Sequence, residues 1–90
     1  MNDRDKCMQL LAQSRTYNEV SRQITDGYQR LFVARTKFPS ESIEFAAYTG
    51  GMEALAKTAG EAMGRAIATH LEAEKLAAAH NIDLESIEII

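Results

Sequence analysis

Lys37-Phe38-Pro39-Ser40-Glu41-Ser42 holds the only proline of this 90-residue chain and separates two long stretches of similar periodicity. Proline disfavours helix at the residue before it, and Ser40 followed by Glu41 reads as an N-cap with an acid in the first turn. The segment therefore marks the end of one helix and the start of another. Upstream, Cys7, Leu10, Ser14, Tyr17, Ser21, Ile24, Tyr28, Leu31, Arg35 and Phe38 follow one another at alternating steps of three and four. Leu11, Val20 and Phe32 widen this seam, while Ser14, Ser21 and Arg35 interrupt its apolar character. Downstream, Met52, Ala56, Ala59, Met63, Ala66, His70, Ala73 and Ala77 repeat the pattern, flanked by Leu55, Ala62, Ile67 and Leu76. Glu53, Lys57, Glu61 and Arg65 stand opposite at four-residue steps, acid before base, as on a helix face turned to water. The expected fold is all-α: a helix over 3–37, a turn at 38–40 and an antiparallel helix over 41–79. A short C-terminal helix or tail over 82–90 completes a single domain.

Glycine tests this reading. Asp26-Gly27 and Gly50-Gly51 are turn formers, and breaks there would give a compact globule of four or five helices. Yet Ile24, Tyr28 and Leu31 keep phase across the first site, and Tyr48, Met52 and Leu55 keep it across the second. A turn resets phase, so the helices are expected to run through. Asn81 is placed to end the second helix in the left-handed conformation. Beyond it, Asp83 caps a short helix with Leu84, Ile87 and Ile90 on its apolar side, or Ile87-Glu88-Ile89 alternates as a strand. A tail ending in Ile89-Ile90 calls for cover.

Composition narrows the function. A chain this short buries only about 60–65% of the surface its unfolded form exposes, so it gains much from a partner. One cysteine, Cys7, excludes an internal disulfide and a cysteine-based zinc site, and fits a reducing compartment. Met1-Asn2-Asp3-Arg4-Asp5-Lys6 does not open a signal peptide, and no apolar run approaches membrane-spanning length. A cytoplasmic, non-membrane protein is expected. The net charge of −3 disfavours nucleic acid as a partner.

No motif carries catalysis. A nucleophile elbow, a serine triad and a phosphate loop are all missing, so no enzyme is expected. No cofactor or metal is expected either: His70 with Glu74 offers two ligands at most, and His70 reads as a core or interface residue. His80 sits where an imidazolium favours the helix dipole. Cys7 reads as a small seam residue, and Tyr17, Tyr28 and Tyr48 as packing residues along the seam. Tyr28, Arg30, Arg35 and Lys37, with Phe32 and Phe38, gather charge and rings before the Pro39 turn, beside a helix N-terminus. That is the candidate site for an anionic small ligand such as a nucleotide, or for an acidic partner surface; the alternative is structural, with Arg35 and Lys37 satisfying the last carbonyls of the first helix while the rings close the core.

The second helix is apolar over more of its circumference than one neighbour covers. Ala56, Gly60, Gly64 and Ala68 form a ridge almost without side chains, suited to a tight contact inside the chain or between copies. Ala56, Gly60, Met63, Gly64 and Ile67 are the candidate self-association residues, in a four-helix bundle of two hairpins or a larger homo-oligomer. The expected function is that of a non-enzymatic adaptor or inhibitor of another macromolecule, of the kind carried by phages and mobile elements. An oligomer that sequesters an anionic ligand and a nucleic-acid-associated regulator are the alternatives.

Overall fold

The turn is set by local hydrogen bonds. In the computed structural model, which describes residues 2–87, α1 spans Asp3–Arg35 and α2 spans Ile43–Ala79. Asn2 caps α1, its side-chain oxygen accepting the Asp5 N–H at 2.8 Å, with Asp3 and Asp5 in the acidic first turn. At the other end Thr36, Lys37 and Phe38 bond back three residues, to Val33, Ala34 and Arg35, and the helix stops before Pro39. Ser42, not Ser40, caps α2. The Ser42 N–H is taken by the Pro39 carbonyl at 3.0 Å, which closes one more turn before the helix begins. Its hydroxyl then accepts the Phe45 N–H at 3.1 Å, while the Ser40 hydroxyl donates to the neighbouring Glu41 carboxylate. Neither glycine site breaks a helix, and no glycine has a positive φ. The helical hairpin is as expected, with α1 two residues shorter at its end and α2 two shorter at its start.

The chain divides into two compact units, one of them Glu19–Ala62. Here the latter half of α1 packs on the first half of α2. The Ser21 hydroxyl, on the seam and buried, donates to the Ala59 carbonyl at 3.1 Å. Met52 is buried, and the rings of Phe38 and Tyr48 stack at 5.6 Å. Glycine has a reason at Gly51, where a β-carbon would lie 3.3 Å from the Leu31 Cδ1. At Gly50 a β-carbon would meet nothing within 4 Å. Gly50→Ala should therefore gain the helix-propensity difference of about 1 kcal/mol, while Gly51→Ala gains little or loses. Denaturant midpoints of the two variants check this, and equal gains would contradict the Leu31 contact.

The second unit joins residues up to Asn18 with those from Met63 onward. Cys7, Leu10 and Leu11 of α1 form its core with Ala73 and Ala77 of α2 and Ile87 from the tail, while Leu76, Ile82 and Leu84 pack against them. The Ser14 hydroxyl donates to the Ala66 carbonyl at 2.8 Å, and the Cys7 Sγ lies 3.8 Å from the Ala73 carbonyl. The two seam donors are seven residues apart, and so are their acceptors. Asn81, at φ 53°, is left-handed as expected, and the Ile82 N–H reaches back to the Ala77 carbonyl at 2.9 Å. Asp83 then caps a single 3-10 turn, Leu84–Ser86, by accepting the Glu85 N–H at 3.0 Å, and this delivers Ile87 to the core. Arg4 donates to the Ser86 carbonyl, and His80 Nδ1 lies 3.2 Å from Asp3 Oδ2. The expected strand alternation over Ile87-Glu88-Ile89, the place of Ile90 and the cover for the chain end fall outside the described residues.

The seam of α2 needs one correction. Its inward residues are Tyr48, Met52, Leu55, Ala59 and Ala62 in one unit, and Ala66, Thr69, Ala73 and Ala77 in the other, all buried or half-buried. Ala56, Met63 and His70, expected on the seam, are exposed. Each stands one residue beyond an inward one. An alternation of three and four can start with either step, and an alanine-rich helix does not mark which.

Candidate interaction surface

The four residues proposed for an anion all lie in the Glu19–Ala62 unit, and the structure separates them. Arg35 turns inward. Its guanidinium carbon stands 4.6 Å from the centre of the Phe45 ring and 5.5 Å from that of Phe32, and Nη1 donates to the Thr49 hydroxyl at 3.0 Å. Cation–π contact and a hydrogen bond tie it to the two helices it joins. Tyr28 is half-buried on the seam. Arg30 and Lys37 lie instead along a shallow depression of about 480 Å³, with Asp26, Gln29, Val33 and Ala34. These residues recur at three- and four-residue steps, so one face of α1, continued by Lys37 in the turn just beyond its end, forms the depression. Asp26 adds a carboxylate to it. On the same helix Arg22 donates to the Glu19 carboxylate at 2.7 Å, a hydrogen bond that holds this exposed carboxyl below its ordinary pKa.

The five self-association candidates share one property in the single chain, which is exposure. In the Glu19–Ala62 unit these are Ala56 and Gly60, and in the other unit Met63, Gly64 and Ile67. A β-carbon added at Gly60 or at Gly64 meets nothing within 4 Å. Neither glycine therefore serves a contact with α1, and the reading of the ridge as a tight contact inside the chain is corrected. In the unit that joins residues up to Asn18 with those from Met63 onward, the apolar exposure continues past the expected residues. Met63 is 41% exposed, Ile67 55% and Leu71 48%, at four-residue steps along α2. Leu71 was missed by the sequence reading, although its spacing from Met63 and Ile67 gives it away. Beside this row Ser14, Asn18, Ala66, Ile67, His70 and Leu71 enclose a groove of about 220 Å³.

His70 edges that groove and is not a core residue. Its Nε2 stands 2.9 Å from Glu74 Oε1, one turn on, and both side chains are half exposed. Among the described residues no three His, Cys, Asp or Glu side chains are placed to hold a metal ion. Cys7 is fully buried. No helix among the described residues is long and apolar enough to cross a membrane. No family model, curated protein or solved structure matches the chain.

Proposed function

We propose that this chain is a non-enzymatic interaction protein that works in the cytoplasm as a homo-oligomer and modulates another macromolecule, in the manner of small phage and mobile-element adaptors and inhibitors. One observation carries the reading. Met63, Ile67 and Leu71 form a row of large apolar side chains on the side of α2 that α1 leaves uncovered. Monomeric proteins scatter such residues, and rows of them mark contact surfaces. A homo-oligomer needs no second gene product to cover the row, and a chain with so small a core gains stability from it.

Sedimentation equilibrium at micromolar concentration tests the proposal. At least a dimer is expected. A clean monomer at every concentration, melting cooperatively, would reject it.

A further inference from the structure

Past Ile82, whose N–H still belongs to the end of α2 through the Ala77 carbonyl, the chain bonds mainly to itself. The Asp83 carboxylate accepts the Glu85 N–H at 3.0 Å, and the Asp83 carbonyl accepts the Ser86 N–H at 3.1 Å and the Ser86 hydroxyl at 2.7 Å. The Leu84 carbonyl accepts the Ile87 N–H at 3.1 Å. The ties of this segment to the helices are of another kind. Ile87 is buried among Cys7, Leu10, Leu11, Ala73 and Ala77, with Leu84 half-buried at the edge of that cluster. Arg4 Nη2 donates to the Ser86 carbonyl at 3.4 Å, one residue before Ile87. Arg4, Cys7 and Leu11 recur at steps of three and four, so this bond sets Ile87 beside the face of α1 that carries the thiol.

We infer that residues 83–87 are a strap, which opens as one unit at the Ile82–Asp83 joint while α1 and α2 stay paired, and that this opening is what uncovers Cys7. Releasing the strap breaks no hydrogen bond within either helix. The Ser14 and Cys7 contacts with the Ala66 and Ala73 carbonyls do not pass through it either. What the closed form gains is the burial of one isoleucine, part of Leu84 and an exposed bond from Arg4. Segments held by so few buried groups open locally, well below the free energy of global unfolding. With the strap shut the thiol is fully buried. The unit thus has two folded forms, one that hides Leu10, Leu11 and Cys7 and one that presents them. The inference does not depend on self-association.

Cys7 is the only cysteine of the chain, so its modification by N-ethylmaleimide, followed by mass, reports the opening. Asp83→Ala removes the cap of the turn that aims Ile87 at the core and leaves the helices untouched. It should speed modification about fivefold, the scale of a lost cap. Ile87→Ala removes the anchor and should speed it about thirtyfold or more, as a truncated core isoleucine does. Asn2→Ala uncaps α1, the other end from which Cys7 could be reached, and should leave the rate unchanged. In low urea the parent's rate should stay nearly flat, because opening the strap exposes little surface. An effect of Asn2→Ala as large as that of Asp83→Ala would assign the exposure to fraying of α1 and overturn the inference. A rate that climbs from the first addition of urea with the full slope of the equilibrium transition would assign it to global unfolding, with the same consequence. A parent thiol that reacts as fast as one in the unfolded chain would show that nothing guards it, and would also overturn the strap.

Discussion

Replacing Ala73 with leucine is expected to lower the unfolding free energy by about 3 kcal/mol, the upper end of the range for overfilled cores. Ala73 is completely buried, and the side chain it faces, Cys7, is completely buried too. The Ala73 carbonyl is also the partner of the Cys7 thiol. Three additional carbons at this point must push α1 away or force side chains off their rotamers. Leu10, Leu11 and Ile87 share the cluster, so the displacement does not stay local. For a domain of this size each kcal/mol shifts the melting midpoint by roughly 4–8 °C, so the loss is visible in a calorimetric scan. Ala78→Glu, one residue round the same helix turn stretch from Ala77 and exposed, is the control and should leave the single chain's fold intact. If Ala73→Leu melts with its parent, α1 and α2 do not pack in this unit as described.

Ile67→Glu combined with Leu71→Glu should do the opposite, leaving the fold of the single chain in place and abolishing association. Both residues are about half exposed without a partner, so the single chain loses little by the change. Burying a large aliphatic side chain is worth about 1.5–3 kcal/mol, and a symmetric contact counts each of the two residues twice. Even a fraction of that, lost together with the cost of burying four carboxylates, weakens dimerisation by at least about 100-fold. Sedimentation should report a monomer, with the helical circular dichroism retained at low temperature. A variant that keeps its parent's mass would place the association surface elsewhere. A variant that unfolds outright would mean that the chain has no stable form apart from its partner, the behaviour of an obligate dimer.

The hairpin was legible because its signals are redundant. Pro39 stops a helix whatever surrounds it, and the continuity of Ile24, Tyr28 and Leu31 past Gly27 carries more information than one glycine removes. Asn81 was legible for a similar reason, since few residues accept its backbone conformation. The phase of α2 was not. Ala56, Ala59, Ala62 and Ala66 are chemically alike, and only the facing helix decides which of them turn inward. The misplacement of His70 and Met63 on the seam follows from that single ambiguity. Ser14 and Ser21 were read as interruptions because an apolar count gives a hydroxyl no credit. In the fold each hydroxyl finds a backbone carbonyl of the facing helix, a partner that exists only once the two helices are aligned. Arg35 was read as a ligand group for the mirror-image reason. Its nearer ring, Phe45, and its hydroxyl partner, Thr49, come from α2, and nothing in α1 announces them. Of the candidate surfaces, the apolar row on α2 was visible as excess width, and its edge, Leu71, was legible from the four-residue spacing after Met63 and Ile67 but was overlooked.

The paired donors Cys7 and Ser14 act as a vernier whose divisions repeat. A slip of α1 along α2 by three or four residues towards the chain end would set Ser14 against Thr69 or His70, where a larger side chain replaces the alanine it faces now. A slip by one whole heptad, about 10 Å, does not: Ser14 would then meet Ala73, an alanine carbonyl equivalent to its native one. The misaligned hairpin is therefore a discrete isomer and not part of a continuum. What separates it from the native alignment is the end of the scale. Cys7 would be carried to the level of His80, past Ala79, where α2 has stopped, and Leu10 and Leu11 would lose Ala77 and Ile87. The tail that follows Asn81 thus proofreads the alignment that the seam proposes, and a chain truncated before Ile82 should populate the slipped isomer during folding.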